Sequence, residues 1–576
     1  MLTSFALTLA LAPSSALGAL VPDTITVESG VVGGLRDTVT GVRSFKGVPF
    51  ADTTGGANAF MPPVRRPAWS GTYDASAWGP GCYSSHHNPD VAGNQSLDCL
   101  NVNIFAPSGL APGEAVPVMA FLYGGAYLEG DNQGPFGMYS GANYAAQERV
   151  AVVTIGYRLG AFGWASLGSG AGVTIRGNLG LMDQIAGLQW IQRNAAAFGG
   201  NASAVTVFGE SAGAMSIGVL MTLPQAQGLF HRAIMESNVG GFVYKNASEA
   251  AVYGASWCQE LNCSTAGGGG CSEACVRAAP PSRIQDAWNT ATGNVIDFLL
   301  TDLSHILDGL LGTGPVIDGD FMKAEPLSLV EGGQYWAAGM PVLMGSNTNE
   351  GETFIYDGVP ALPNFLAIFA YIGMFGFDEV SASTPHPSAA RRVPPRTPHS
   401  LTRAPASLAR SLQATANKIN AQPKYNYSNY NDTRPPLSHV VTDMWFRCAT
   451  ERFLFAAAPS SFAYRYAHVY SNSSIFPEFG LPEICASVVC HASELPFVFS
   501  NVPNFTSFQP DELALSQQMV KFWANFAKTG DPNPQGSTVW PAWDAAGRKT
   551  LVLNTGGFVE ERSDVCDFWD TIGYFN

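Results

Sequence analysis

Between residues 204 and 220 the chain passes from an apolar, β-branched run, Ala204–Phe208, to a small-residue, helix-compatible run, Ala212–Leu220, across Gly209-Glu210-Ser211 alone. Both patterns can be obeyed only if a fully buried strand turns into a helix within three residues. Other segments repeat the theme. Pro117–Tyr123 and Val150–Ile155 are continuous rather than alternating apolar runs, the signature of strands covered on both faces. Leu181, Ile185, Leu188, Ile191 and Ala195 recur at helical spacing between Asn178 and Phe198, and Leu513–Lys528 reads as a helix stopped by Gly530 and Pro532. Strands alternating with helices from about Ile25 onward predict an α/β fold, with a large, mostly parallel, twisted sheet and helices on both faces. No internal repeat is visible.

The 576 residues are 46% hydrophobic, enough to fill a substantial core. Length alone suggests several domains, but large α/β enzymes exceed that rule, and the pattern is read as one domain over 19–576. Thirty basic against 45 acidic residues leave a net charge of −15, which repels nucleic acid and anionic membrane surfaces. Charged residues make up only 13%, against about 25% in an average soluble protein, which suits export. Met1–Gly18 carries no charged side chain, contains the apolar run Phe5–Ala12, and ends in the small-residue site Ala16-Leu17-Gly18. Residues 1–18 are therefore expected to be a signal peptide. No later apolar run reaches the length of a membrane span. Asn-x-Ser/Thr triplets at Asn94, Asn201, Asn246, Asn262, Asn426, Asn431, Asn472 and Asn504, and an even set of ten cysteines, agree with a secreted glycoprotein. Residues 381–413 depart from the rest: they carry Arg391, Arg392, Arg396, Arg403 and Arg410 with no acidic or aromatic residue. That composition predicts a disordered insertion.

The pentapeptide Gly209-Glu210-Ser211-Ala212-Gly213 is weak evidence alone. With 62 glycines in the chain, roughly half a match to Gly-x-Ser-x-Gly is expected by chance. Its strand–turn–helix setting is what makes Ser211 a candidate nucleophile, its hydroxyl thrust out over the sheet edge. A serine hydroxyl needs a base, and the base needs a carboxylate to fix its tautomer. Of the nine histidines, His86 and His87 lie in a polar loop, and His386 and His399 fall in the disordered stretch. His231 follows a helical segment, His468 sits in a strand-like run, and His305 and His439 have no motif around them. His491 differs, standing in the small-residue loop Cys490–Leu495 just before apolar Pro496–Phe499. For the acid, the buried strand Met340–Met344 runs into a loop, Gly345–Gly351, that carries Glu350. A carboxylate just past a strand's C-terminal end is where an α/β sheet places reactive groups.

In these features and in a series of ordered motifs the chain resembles a type-B carboxylesterase of the cholinesterase–lipase superfamily, from about Ile25 to the C-terminus. The matching stretches are Phe45–Ala51, Asp98–Asn103, Tyr123-Gly124-Gly125-Ala126, Tyr157–Gly160, Asn178–Gln184, Phe198–Gly200 and Phe230–Ile234 through Ser237. The resemblance implies an α/β-hydrolase fold with long inserted loops and a carboxylic ester hydrolase needing no cofactor. It implies Ser211 as nucleophile, His491 as general base and then acid, and Glu350 as orienting carboxylate, with Glu352 its rival. It implies an oxyanion hole from the N–H groups of Gly125, Ala126 and Ala212. Gly124, Glu210 and Ser237 line or support the site, with Ser237 expected to hydrogen-bond Glu350.

The same resemblance suggests the bridges Cys82–Cys99, Cys448–Cys566 and Cys485–Cys490, and leaves Cys258, Cys263, Cys271 and Cys275 to form two more in an undetermined arrangement. Leu97 stands where the family usually has Glu, which puts in doubt an ion pair to an arginine near Arg65 or Arg66. The 16 residues between Cys82 and Cys99 contain no tryptophan, so the cation-binding ring of cholinesterases is missing. They are also too short and polar for a lipase lid. A soluble or dispersed small-molecule ester is the expected partner. The alternatives are a triacylglycerol lipase and a non-catalytic adhesion protein. Neither a metal-ligand cluster nor a G-x-x-x-x-G-K-[ST] loop occurs, and the sequence sets no oligomeric state.

Overall fold

The computed structural model describes residues 18–84, 95–168, 172–265, 270–292, 312–358, 414–457, 461–479, 481–503, 506–562 and 565–572. Residues 1–17 of the expected signal peptide, the 381–413 stretch, His86, His87, His305, His386, His399, Asn94 and Asn504 lie outside the described residues.

A strand that is apolar at every position needs cover on both faces, and the central strands obtain it by lying side by side beneath two layers of helices. Seven run parallel, in the spatial order Ala151–Ile155, Val116–Leu122, Gly200–Glu210, Arg232–Glu236, Val342–Asn347, Ser461–Tyr466 and Lys549–Leu553. One edge is extended antiparallel by Asn101–Pro107, Val42–Pro49, Gly30–Asp37 and Leu20–Val27, and the other by Val559–Arg562. With Thr72–Asp74 beside Gly30–Asp37, the sheet has 13 strands. The helix expected between 178 and 198 is Leu179–Asn194 followed by a 3-10 turn, Ala195–Phe198. The late helix is Pro510–Thr529, ended by left-handed Gly530. The strand expected at 340–344 runs instead through Val342–Asn347. Ser346 and Asn347 are buried and paired with Arg465 and Tyr466, so ladder bonds carry two polar residues that local composition would assign to a loop.

Strand order reverses between Val116–Leu122 and Gly200–Glu210, since the chain goes from the first outward to Ala151–Ile155 and then returns to the other side. Loops leaving the C-terminal ends of strands at such a reversal diverge and open a crevice. Tyr123-Gly124-Gly125 leaves one strand there and Ser211 leaves the other. Ser237 follows Arg232–Glu236, and Glu350 opens the helix Glu350–Gly358 after Val342–Asn347.

The ten cysteines form five bridges: Cys82–Cys99, Cys258–Cys271, Cys263–Cys275, Cys448–Cys566 and Cys485–Cys490. The arrangement left open among the four central cysteines is thereby Cys258–Cys271 with Cys263–Cys275. Arg66 meets Asp52 at 3.2 Å and Asp98 at 3.3 Å, while Arg65 pairs with Glu28. The carboxylates on either side thus take up the arginines that Leu97 cannot. Among the described residues, no helix is long and apolar enough to cross a membrane.

Candidate active site

Ser211 has φ 54° and ψ −123°, a conformation L-residues rarely adopt. The turn is enforced from both sides. Ser211 N–H donates to Glu236 O at 2.9 Å, and Met215 N–H to Ser211 O at 2.8 Å, so the residue is both a strand end and a helix cap. A Cβ on Gly209 would lie 2.5 Å from Leu122 O, and one on Gly213 would lie 2.0 Å from the same atom. Only glycine permits this approach on both sides of the serine.

The loop expected to supply the oxyanion donors is shaped in a similar way. Gly125 has φ 105°, where a Cβ would come 2.4 Å from Glu129 O, and Ala126 and Tyr127 follow with φ 53° and 62°. The N–H groups of Leu128 and Glu129 close the turn onto Gly125 O. Among the described residues no hydrogen bond uses the N–H of Gly125, Ala126 or Ala212. Ala126, Ala212 and Ser211 line one cavity together. Amide donors left unused beside a serine hydroxyl, as at Ala126 and Ala212, are the kind of group that can stabilise a developing oxyanion.

His491 is 6% exposed and is fixed by Glu350, whose Oε2 lies 2.6 Å from Nδ1. Glu350 is held in turn by Ser237 Oγ–H at 2.6 Å and by the Asn347 N–H at 2.5 Å, both donating to Oε1. Glu352 instead accepts from Asn349 Nδ2 at 3.1 Å. The ring of His491 packs against Phe354 and Phe446, with centroids 5.1 and 5.3 Å away. Its other nitrogen, Nε2, lies 3.1 Å from Glu210 Oε1. No hydrogen bond joins Nε2 to Ser211 among the described residues. Gly124 explains how Glu210 is positioned, since a Cβ there would sit 2.5 Å from Glu210 Oε2 and 2.9 Å from Ser211 Cβ.

Two more buried carboxylates complete the floor. Glu494 Oε2 accepts from Asn347 Nδ2, and its Oε1 is 3.5 Å from Ser237 Oγ. Glu236 Oε1 accepts from Trp523 Nε1 at 2.6 Å. Neither was singled out by sequence, although a glutamate three residues beyond His491, at the edge of an apolar run, was a readable signal. Burial pushes Glu210 up to about 8 and Glu494 up to about 7, and raises Glu236 well above the usual carboxyl range. Burial pulls His491 down, but the charges of Glu210, Glu350 and Glu494 outweigh it and push the imidazole up to about 9.

Three comparisons show what the chain is similar to. The profile of the carboxylesterase family matches residues 22–569. The chain is similar to an acetylcholinesterase of Bungarus fasciatus, 30% identical over 573 residues that cover 95% of this chain and 86% of that protein. A para-nitrobenzyl esterase of Bacillus subtilis (strain 168) is 30% identical over 541 residues, covering 92% and 94% of the two chains. Among solved structures, a PNB esterase superposes with a TM-score of 0.72 at 28% identity, covering 96% of this chain and 99% of that one.

Proposed function

The chain belongs to the carboxylesterase family and is a carboxylic ester hydrolase, and from that premise we propose that Ser211, His491 and Glu350 carry the reaction through an acyl-enzyme and that the protein is secreted. The observation that most supports the mechanism is the 2.6 Å contact of His491 Nδ1 with a carboxylate itself held by two donors. That contact leaves Nε2 as the nitrogen that exchanges protons with substrate.

His491 Nε2 takes the Ser211 proton as Oγ attacks the ester carbonyl. The carbonyl oxygen becomes an oxyanion against the N–H groups of Gly125, Ala126 and Ala212, where one such donor typically contributes about 10²–10³ in rate. The proton then passes from Nε2 to the alcohol oxygen as the C–O bond breaks. Water, deprotonated by the same nitrogen, attacks the acyl-enzyme and releases the acid. The 3.1 Å contact of Nε2 with Glu210 belongs to the resting enzyme, and substrate draws Nε2 and Oγ together.

Secretion is supported by the apolar leader, by five disulfides and by the exposed sequon asparagines Asn246, Asn262 and Asn431. The substrates are soluble or dispersed esters rather than interfacial triglyceride, because the Cys82–Cys99 loop is short and polar. The missing tryptophan there speaks against choline esters.

A fluorophosphonate probe followed by peptide mapping tests the mechanism. Labelling of Ser211 is expected, and labelling elsewhere or nowhere in folded protein overturns it. Faster turnover of emulsified long-chain triglyceride than of short p-nitrophenyl esters would overturn the substrate reading. N-terminal sequencing of protein from the culture medium should begin at residue 19.

A further inference from the structure

The cavity beside Ser211 has five rings in its wall, Tyr127, Phe242, Tyr244, Phe354 and Trp445, with aliphatic residues and Lys245 between them, and no carboxylate lines it among the described residues. Trp445 is the hub. Phe242 stands edge-on to it, with centroids 4.8 Å apart and planes at 74°, and Phe354 lies 6.4 Å away at 66°. Rings arranged edge to face leave faces and edges free to receive a further ring in the same geometry.

The backbone fixes this wall. Trp445 sits in a π-helical turn, Thr442–Arg447, set between the helices Arg434–Val441 and Cys448–Ala456. Such a turn inserts a residue and re-aims the side chains within it. Gly241 N–H donates to Trp445 O at 3.2 Å, and a Cβ on Gly241 would lie 2.7 Å from Met444 O and 3.0 Å from Trp445 Cα. The close approach that glycine allows here therefore sets Phe242, the next residue, against Trp445.

Which half of an ester enters follows from the positions of the reacting groups. The leaving oxygen must receive its proton from His491 Nε2, so the alcohol departs on the side of His491 and Glu210. Neither of those residues lines the cavity, whereas Ser211 and the oxyanion residues Ala126 and Ala212 do. With the leaving group toward His491 and the oxyanion on the amides, the remaining substituent of the tetrahedral carbon, the acyl group, points into the cavity.

We propose that the enzyme is selective for esters of planar aromatic carboxylic acids, of the benzoate class, and that Trp445 is the residue that sets this preference. The proposal rests on the triad reading above. An aromatic acyl group stacks edge to face on Trp445 and Phe242, while a saturated ring of equal carbon count offers only bulk. Each such contact corresponds to roughly two- to tenfold in kcat/KM.

The test uses the full-length protein with p-nitrophenyl benzoate, cyclohexanecarboxylate and acetate, each kcat/KM divided by that ester's rate constant with hydroxide. The normalised benzoate-to-cyclohexanecarboxylate ratio should be about ten, and it should fall toward one in Trp445→Ala and, separately, in Phe242→Ala. A wild-type ratio of one or below, or a ratio unmoved in both variants, overturns the proposal while leaving the triad intact. Turnover of none of the three esters, with no fluorophosphonate on Ser211, overturns the triad and this proposal together.

Discussion

Nε2 of His491 lies 3.1 Å from Oε1 of Glu210, the residue immediately before Ser211, while Nδ1 of the same ring lies 2.6 Å from Oε2 of Glu350. The buried imidazole thus has a carboxylate beside each nitrogen, with a hydrogen bond on the Nδ1 side. Two negative groups in low dielectric favour the imidazolium, which must shed its proton before it can act as a base. The same pair of carboxylates stabilises the imidazolium once Ser211 has been deprotonated. Glu210 therefore trades readiness of the base for stabilisation of the charged intermediate.

Glu210→Gln keeps the shape of this contact and removes one charge. The pKa of His491 should fall, because the charge that raises it is gone, so the neutral base persists to lower pH. The acid limb of the kcat/KM profile should move down by roughly one to two pH units. A limb that stays in place or moves up would show that Glu210 does not share the proton.

Glu350 and Glu352 lie two residues apart, but only Glu350 reaches His491. Glu350→Gln should lower kcat by about 10³–10⁴-fold through the wrong tautomer, whereas Glu352→Gln should retain most of its kcat. Equal losses in the two variants would remove the distinction drawn here.

The strained Ser211 backbone gives a prediction in two directions. A non-glycine residue at φ 54°, ψ −123° costs about 1–3 kcal/mol. Ser211→Gly should therefore raise unfolding free energy by about 1 kcal/mol while lowering kcat by at least about 10⁴-fold. Thermal unfolding and ester turnover on the same preparation would show whether strain and activity are coupled.

Gly124→Ala would drive a methyl group to 2.5 Å from Glu210 Oε2 and 2.9 Å from Ser211 Cβ, displacing the oxyanion loop. A loss of about 10²–10³ in kcat is expected. Gly218→Ala is the control. Its Cβ would meet only Asn238 Nδ2, at 3.7 Å, and a helix interior gains up to about 1 kcal/mol from that change.

The disulfides should separate stability from activity. Cys448–Cys566 spans 118 residues and Cys485–Cys490 spans 5, so loop entropy assigns them about 5 and about 2 kcal/mol. Replacing the first pair by serine should lower the unfolding midpoint more. Replacing the second should lower kcat more, since it closes the turn immediately before His491. Denaturation and turnover of both double variants check the two halves.

Much of this was legible in the chain. Ala204–Phe208 and Val116–Leu122 could hardly be anything but buried strands, because no exposed element tolerates such runs. Gly209 and Gly213 announced a turn that a Cβ would block, and Glu350 and His491, singled out by their position after strand and loop, lie within hydrogen-bond distance of each other. Glu236, Glu494, Phe242 and Trp445 were not found. The contacts that place them join distant parts of the chain, Glu236 to Trp523, Glu494 to Asn347 and Phe242 to Trp445. The pairing Cys258–Cys271 with Cys263–Cys275 was open for a different reason, since spacing permits every arrangement of the four.

By itself, the sequence determined the strand–turn–helix at Ser211 and the family, because these depend on short-range sterics and on patterns within a few residues. Only the tertiary structure decided that Glu210 faces His491, that four carboxylates share one floor, and that Trp445 stands over the nucleophile's cavity. Those are through-space relations in a low-dielectric interior, set by strand register and by glycines that let distant backbones meet, and no local pattern encodes them.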